Sequence, residues 1–91
     1  MTSHERAAVK VKVVGVGGAG GNAVYRMAGS RFNGLEYLAI NTDAQALRRM
    51  NDVRTFVIGP ETTGGMGAGG NPDVGRRAIR ESYDQVKQLL D

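Results

Sequence analysis

The sequence predicts an α/β fold built on a parallel sheet, and three observations support this class. Two short apolar runs, at about residues 10–16 and 35–40, are typical of strands that are buried on both faces. A segment with helical periodicity separates them, as the connection between two parallel strands requires. A third apolar run at residues 55–58 is followed by another amphipathic helix pattern. We therefore expect strands and helices to alternate within one unit of 91 residues.

The first strand leads into a glycine-rich stretch, residues 15–21, which we call the first glycine segment. Its glycines are Gly15, Gly17, Gly18, Gly20 and Gly21. Because glycine lacks a Cβ atom, these positions allow positive φ angles and let a ligand reach the backbone. Asn22 is a good N-cap for a helix over residues 22–30, whose free N–H groups would then point at a bound phosphate. The alternative is a purely structural connection between a strand and a helix.

The spacing of Gly15, Gly17 and Gly20 matches the fingerprint of dinucleotide-binding domains, which by itself is weak evidence. In this interpretation the three glycines approach a pyrophosphate, and Asp43 accepts a hydrogen bond from a ribose hydroxyl. An NAD-binding Rossmann half-domain is therefore one hypothesis for the chain.

Three polar residues, Asn41, Thr42 and Asp43, follow the second strand. The carboxyl ends of parallel strands lie at one edge of a sheet, where ligands of open α/β sheets bind. These side chains could therefore hold a phosphate or a metal-bound water beside the first glycine segment. Helix capping is the alternative, because residues 44–50 have the pattern of a short helix.

A second glycine segment, residues 59–70, follows the third strand with the sequence GPETTGGMGAGG. Two glycine-rich segments at the same sheet edge can grip a chain of phosphates, whereas a dinucleotide needs only one. The second glycine segment therefore favours a nucleoside triphosphate over NAD. A flexible surface loop is the alternative.

The C-terminal part of the sequence predicts one amphipathic helix. Asn71, Pro72 and Asp73 supply an N-cap, a proline for the first helical position and an acid for the first turn. The apolar stripe that follows should cover one face of the sheet, while Arg77 and Glu81 have the spacing of a surface ion pair. Because the pattern closes on a helix, we expect the sheet to be incomplete.

Composition argues against several classes of function. The net charge of +3 comes without a block of basic residues or interleaved aromatic side chains, so nucleic-acid binding is not expected. The absence of cysteine excludes disulfides, a thiol nucleophile and the common zinc sites. Residues 1–8 are polar and predict a flexible leader, and no apolar run is long enough for membrane insertion. We expect a cytoplasmic protein.

Three segments, in order along the chain, resemble the tubulin-like GTPases of bacterial cell division, the FtsZ family. They are the first glycine segment with its flanks at residues 11–24, the sequence NTDAQAL at residues 41–47, and GMGAGGNPDVG at residues 65–75. The resemblance covers residues 9–91. It implies that they are the N-terminal segment of a Rossmann-like parallel-sheet GTPase domain of the tubulin/FtsZ type, ending before the family's GGGTGTG signature.

The resemblance also implies which residues bind GTP or GDP. Around the α- and β-phosphates it places Gly18, Ala19, Gly20, Gly21 and Asn22, and we add Gly17 from the same segment. Near phosphate and magnesium it places Asn41, Thr42 and Asp43, with Mg²⁺ held indirectly beside Asp43. Against the γ-phosphate it places Ala68 and Gly69. No catalytic residue is predicted within this segment.

In this family, GTP hydrolysis drives self-association into filaments, which organise cytokinesis together with other proteins of the division machinery. The resemblance therefore implies a GTPase at the division site, and the 91-residue chain alone is not expected to be catalytic. A third hypothesis is a non-catalytic assembly or interaction fragment, whose exposed sheet edge pairs with a partner or with itself.

Overall fold

A computed structural model of the chain describes residues 11–30 and 35–91. In chain order its elements are β1 (Val11–Val16), α1 (Gly17–Gly29), β2 (Leu35–Asn41), α2 (Ala44–Arg48), β3 (Arg54–Val57), α3 (Pro60–Thr63), α4 (Pro72–Glu81) and α5 (Tyr83–Leu90). The leader predicted for residues 1–8 lies outside the described residues.

The three strands form one parallel sheet in the order β1-β2-β3, which confirms the predicted α/β fold. Val14 of β1 pairs with Leu38 of β2, and Ile40 of β2 pairs with Phe56 of β3. Because all three strands run in the same direction, their carboxyl ends meet at one edge of the sheet. The segments that follow the strands are therefore neighbours.

Helix α1 covers one face of the sheet at very short range. A Cβ atom on Gly15 would lie 2.1 Å from the carbonyl oxygen of Gly20 and 2.6 Å from a methyl carbon of Val24. A Cβ atom on Gly21 would lie 3.9 Å from the Cβ of Ala39 in β2. The glycines of the first segment thus allow the backbones of helix and strand to touch.

The opposite face of the sheet carries the main apolar core. Leu38 and Ile40 of β2 pack there with Ile58 and with Ala78 of α4, and each of the four side chains is at most 4% exposed. Half-buried side chains that pack around this cluster are Val14, Phe56, Val86 and Leu89. Helices α4 and α5 therefore cover this face, as the apolar stripe of the sequence predicts.

Helix α1 begins at Gly17, directly after β1, so the prediction that Asn22 caps this helix was wrong. Val16 occupies the N-cap position and makes no side-chain capping hydrogen bond. Gly17 has a φ angle of 77°, which turns the chain from strand to helix within one residue. Glycine in a helix costs up to about 1 kcal/mol per residue relative to alanine. The close packing of α1 on β1 offsets that cost here.

The predicted C-terminal helix is divided at Ser82 into α4 and α5. Its beginning is as predicted, because the side chain of Asn71 accepts a hydrogen bond from the N–H of Asp73, and Pro72 lies in the first turn. Ser82 is only 4% exposed, and its hydroxyl oxygen accepts a hydrogen bond from the N–H of Gly59. The residue at the helix break is therefore hydrogen-bonded to a segment that is distant in sequence.

The longest helix of the described residues, α1, has 13 residues. None of the described helices has the length and apolar composition needed to cross a membrane.

Candidate nucleotide-binding site

A cavity of about 570 Å³ opens at the carboxyl edge of the sheet. Its lining residues are Val16, Gly17, Gly18, Asn41, Thr42, Asp43, Ala46, Ile58, Gly67, Ala68, Gly70, Gly75 and Ile79. They come from the first glycine segment, from residues 41–46 at the end of β2 and the start of α2, from the second glycine segment with Ile58 before it, and from Gly75 and Ile79 of α4. The three stretches that stand out in the sequence therefore face one volume.

The first wall of the cavity is the N-terminus of α1. Its N-cap, Val16, offers no side-chain acceptor, and no acidic residue lies in the first turn. The first N–H groups of the helix are therefore free, and the positive end of the helix dipole is not neutralised locally. A Cβ atom on Gly17 or Gly18 would meet nothing within 4 Å, so the backbone at these two positions is open to a ligand.

The second wall is the turn between β2 and α2. Asp43 is the N-cap of α2, and its Oδ1 atom accepts hydrogen bonds from the N–H groups of Gln45 and Ala46. Asn41 accepts a hydrogen bond from the N–H of Asp43, and Thr42 is 6% exposed. Helix capping, one of the two interpretations of these residues, is therefore correct for Asp43. All three residues also line the cavity, so capping does not exclude a role in binding.

The third wall is the second glycine segment, which is tied down at intervals. The carbonyl of Gly65 accepts a hydrogen bond from the N–H of Ala44, so this segment is attached directly to the start of α2. The carbonyl of Ala68 accepts a hydrogen bond from the N–H of Asn71. Helix α3, which was not predicted, occupies the beginning of the segment between two glycines in the left-handed conformation, Gly59 and Gly64. Residues 60–63 of this segment are therefore helical rather than part of a loop.

Glu81, at the end of α4, holds helix α3 in place. Its carboxylate accepts hydrogen bonds from the N–H groups of Glu61 and Thr62, at 3.0 and 2.8 Å, and from the hydroxyl of Thr62 at 2.7 Å. The N–H of Glu61 is the main cause that lowers the pKa of Glu81 below its ordinary value; the Thr62 contacts act in the same direction and partial desolvation opposes them. The prediction of an ion pair between Arg77 and Glu81 was wrong. In the described part of the chain, the ion pair is formed by Arg76 and Asp73.

The predicted nucleotide-binding residues divide into two groups. Those that line the cavity are Gly17, Gly18, Asn41, Thr42, Asp43 and Ala68. Those that do not are Ala19, Gly20, Gly21, Asn22 and Gly69. Within the second group, Gly21 is buried under the sheet face, whereas Asn22 lines a neighbouring cleft of about 310 Å³ together with Tyr25 and Arg49.

Apolar lining residues were missed by the sequence interpretation. Val16 and Ile58 are the last apolar residues of their runs, so the position at the strand end could have indicated them. Ile79 belongs to the apolar stripe of α4, and nothing in that stripe distinguishes it from core residues. These side chains give the cavity an apolar wall beside its polar backbone.

Among the described residues that line the cavity, Asp43 is the only charged one. Among the described residues, no group of three or more His, Cys, Asp or Glu side chains could hold a metal ion. An anionic ligand would therefore meet backbone N–H groups and a helix dipole rather than lysine or arginine side chains.

An open parallel sheet with a cavity at its carboxyl edge defines an α/β domain of the class in which ligands bind across the strand ends. Residues 10–91 match the family described as Tubulin/FtsZ family, GTPase domain. The chain belongs to this family.

Relatives and solved structures agree with this assignment. Cell division protein FtsZ of Buchnera aphidicola is 51% identical over 80 residues, and that of Pseudomonas aeruginosa is 46% identical over 81 residues. These alignments cover 88% and 89% of this chain, but 21% of each relative. An FtsZ dimer from M. jannaschii, solved empty, has a TM-score of 0.86 at 40% identity, over 97% of this chain and 26% of that one. The chain thus spans about a fifth of the length of these curated relatives.

Proposed function

We propose that this chain is the N-terminal part of the nucleotide-binding site of a GTPase that assembles into filaments during bacterial cell division. The observation that carries the proposal is the cavity at the sheet edge, where an uncapped helix N-terminus, the turn at residues 41–43 and the second glycine segment meet. A site with three walls suits a chain of phosphates better than a single pyrophosphate. The names of the curated relatives support the role in cell division.

Phosphate binding in this proposal depends on the start of α1. The N–H groups of Gly17, Gly18 and Ala19 belong to the first turn of α1, where they have no partner within the helix and are free to donate to phosphate oxygens. Gly20 and Gly21 act by letting α1 lie against the sheet, and Asn22 reaches the ligand from the neighbouring cleft. Ala68 and Gly69, on the facing segment, contact the γ-phosphate.

In this proposal the segment promotes hydrolysis by electrostatic stabilisation and not by acting as a general acid or base. None of the described residues that line the cavity is a histidine, and Asp43 already caps α2 through Oδ1. Backbone donors aimed at the phosphates stabilise the charge that develops in the transition state. The attacking water is positioned by groups of a neighbouring subunit, so the 91-residue chain alone hydrolyses no GTP.

The residues present fit a magnesium ion that arrives with the nucleotide. Mg²⁺ usually keeps several waters and takes only one or two carboxylates besides phosphate oxygens. Asp43 is the single carboxylate among the described lining residues, and it would hold the ion through a water while Thr42 lies beside it. Bound there, Mg²⁺ would neutralise phosphate charge, since none of the described lining residues is basic.

The wider role is part of the same proposal. GTP-bound copies would self-associate into filaments at the division site in the cytoplasm and recruit other division proteins, with no nucleic acid and no direct membrane insertion. The solved relative described as an FtsZ dimer supports self-association.

The test compares GTP with NADH as ligands of the full-length protein. We expect GTP and GDP to bind and NADH not to compete, measured by fluorescence titration with a labelled nucleotide. Ala68→Leu should weaken GTP binding by about 10-fold or more, because the larger side chain fills the γ-phosphate side of the cavity. Met66→Leu, at an exposed position of the same segment that does not line the cavity, is the matched control.

An NAD-binding half-domain predicts the reverse result. In that case NADH binds in preference to GTP, and Ala68→Leu leaves its affinity unchanged, because a dinucleotide uses only the first glycine segment. This outcome would refute the proposed function.

A further inference from the structure

We propose that Glu81 and Ser82 are positioning residues, which hold the second glycine segment in the shape that accepts the terminal phosphate of the nucleotide. Neither residue lines the cavity, so the effect passes through the backbone of the segment. This inference rests on the proposed function and adds to it two residues that act at a distance from the ligand.

The contacts of Glu81 show how the beginning of the segment is fixed. Helix α3 has glycine at its N-cap, which offers no side-chain acceptor for the first N–H groups of the helix. The carboxylate of Glu81 takes that role from another helix, because one oxygen accepts from Glu61 and the other from both donors of Thr62. Charge-assisted hydrogen bonds of this kind are stronger than neutral ones and fix direction as well as distance.

Ser82 adds a second anchor one residue further along. Its hydroxyl accepts a hydrogen bond of 2.8 Å from the N–H of Gly59 at a buried position. Gly59 also approaches α4 so closely that a Cβ atom would lie 2.3 Å from the Cα of Ala78. The beginning of the second glycine segment is therefore attached to the end of α4 through two side chains and a direct backbone contact.

These anchors determine where the ligand-facing part of the segment lies. From the end of α3 at Thr63 to the next anchor, the carbonyl of Gly65, the chain has only two residues. Ala68, which faces the cavity, follows three residues later and is tied by its own carbonyl to Asn71. Loosening the beginning of the segment therefore frees a series of glycines with positive φ, and a ligand must then order them when it binds.

The experiment uses the full-length protein with Glu81→Gln and, as a matched control, Asp84→Asn. Both substitutions remove one carboxylate from the same helical region, but Asp84 is exposed on α5 and lies outside the contact with α3. We expect Glu81→Gln to weaken GTP binding by about 5-fold and GDP binding by less than about 2-fold, since only GTP has the phosphate that faces Ala68. Asp84→Asn should leave both affinities unchanged.

Amide hydrogen exchange without nucleotide provides the readout that is independent of the ligand. Glu81→Gln should speed exchange at the amides of Glu61 and Thr62 and leave the amides of β1 unchanged. Equal exchange in the variant and the wild-type protein would overturn the positioning role, whatever the affinities are. Equal weakening of GTP and GDP would also overturn it, because a general loss of stability affects both nucleotides alike.

Thr62→Val tests the same contact from the other side and does not alter α4. It removes the hydroxyl that donates to Glu81 at 2.7 Å and keeps a side chain of similar size. We expect a smaller change in the same direction, and the double variant should be no weaker than Glu81→Gln alone, because the shared contact is already lost. Fully additive effects would contradict the proposal.

A wild-type protein that binds no GTP would refute the proposed function instead, and the exchange measurement separates the two failures.

Discussion

The two glycine segments are similar in composition, yet glycine serves a different physical purpose in each. In the first, Gly15 lies where α1 touches β1, and Gly17 is the one glycine of the segment with a positive φ angle. In the second, the glycines with positive φ angles are Gly59, Gly64, Gly65, Gly69 and Gly70. The first segment is glycine-rich because two elements pack closely, and the second because its backbone turns through left-handed conformations.

Because of this difference, the first and the second glycine segments are held in place in different ways. The first wall is the end of a helix that is packed against the sheet, so its N–H groups are fixed before any ligand arrives. The second glycine segment is held by hydrogen bonds at Gly59, Glu61, Thr62, Gly65 and Ala68, with further glycines between these anchors. We therefore expect substitutions in the first segment to act on folding and those in the second to act through backbone strain and ligand binding.

The largest effect should come from Gly15→Ala. The new Cβ atom would lie 2.1 Å from the carbonyl oxygen of Gly20 and 2.6 Å from Val24, and the helix backbone would have to move to make room. We expect a loss of more than about 3 kcal/mol in the free energy of unfolding, beyond the usual range for overpacked cores. Thermal or denaturant unfolding of the full-length protein measures it.

Gly18→Ala is the matched control for Gly15→Ala. Its Cβ atom would meet nothing within 4 Å, and alanine is a better helix former than glycine, so stability should be unchanged or slightly higher. If Gly15→Ala unfolded at the same temperature as Gly18→Ala, the close contact of α1 with β1 would be refuted.

Gly59→Ala should have the next largest effect, because it combines a steric clash with strain in the backbone. Gly59 has a φ angle of 56°, and an added Cβ atom would lie 2.3 Å from both the Cα and the Cβ of Ala78. We expect a loss of about 2–3 kcal/mol, since the shortest contact of the new Cβ atom, 2.3 Å, is longer than the 2.1 Å at Gly15. Gly64→Ala, with a φ angle of 66° and nothing within 4 Å, measures the strain alone. Equal losses in the two variants would mean that the contact with Ala78 contributes nothing.

Short-range patterns predicted most of the fold. The runs of Val, Leu and Ile predicted all three strands to within a residue or two, because buried parallel strands require continuous apolar side chains. The start of α1 was misplaced because glycine lowers helix propensity, whereas the packing of Gly15 against Gly20 is a tertiary effect that propensity does not contain.

The candidate site was predictable where its residues follow strand ends, and less so where they act across the chain. Asn41 is the last residue of β2, and Thr42 and Asp43 follow it directly, so the parallel topology alone places them at the cavity. The contact of Glu81 with Thr62 joins residues from different elements, and the local spacing indicated an ion pair with Arg77 instead. Helix spacing predicts neighbours on one helix and carries no information about which other helix lies nearby.

Gly69→Ala should have a smaller effect than either clash, because only the backbone conformation is affected. Gly69 has a φ angle of 63°, and a Cβ atom there would meet nothing within 4 Å. We expect a loss of about 1 kcal/mol in the free energy of unfolding, the usual cost of a left-handed conformation for a residue with a side chain. Gly67→Ala is the control, since this glycine has no positive φ angle and the nearest atom would be 4.0 Å away. A loss at Gly67 that matched the one at Gly69 would contradict the role of φ.

The smallest effect concerns the ionisation of Glu81, and it tests whether the second glycine segment is held by charge. Hydrogen bonds from Glu61 and Thr62 keep the pKa of Glu81 below its ordinary value of 4.5. For a carboxyl group whose pKa is depressed by folding, the stabilisation is present above the unfolded-state value and disappears as the pH falls through the folded-state value.

The melting temperature of Glu81→Gln should therefore lie slightly below that of the wild-type protein at neutral pH. The difference should shrink as the pH falls below 4.5 and vanish once Glu81 is protonated in the folded protein as well, because the protonated carboxyl group and the amide carry the same charge. Asp84→Asn, measured alongside, corrects for the removal of one exposed carboxylate. A difference for Glu81→Gln that persisted undiminished in acid would show that the side chain acts by its shape, and the second glycine segment would then be held by packing, as the first one is.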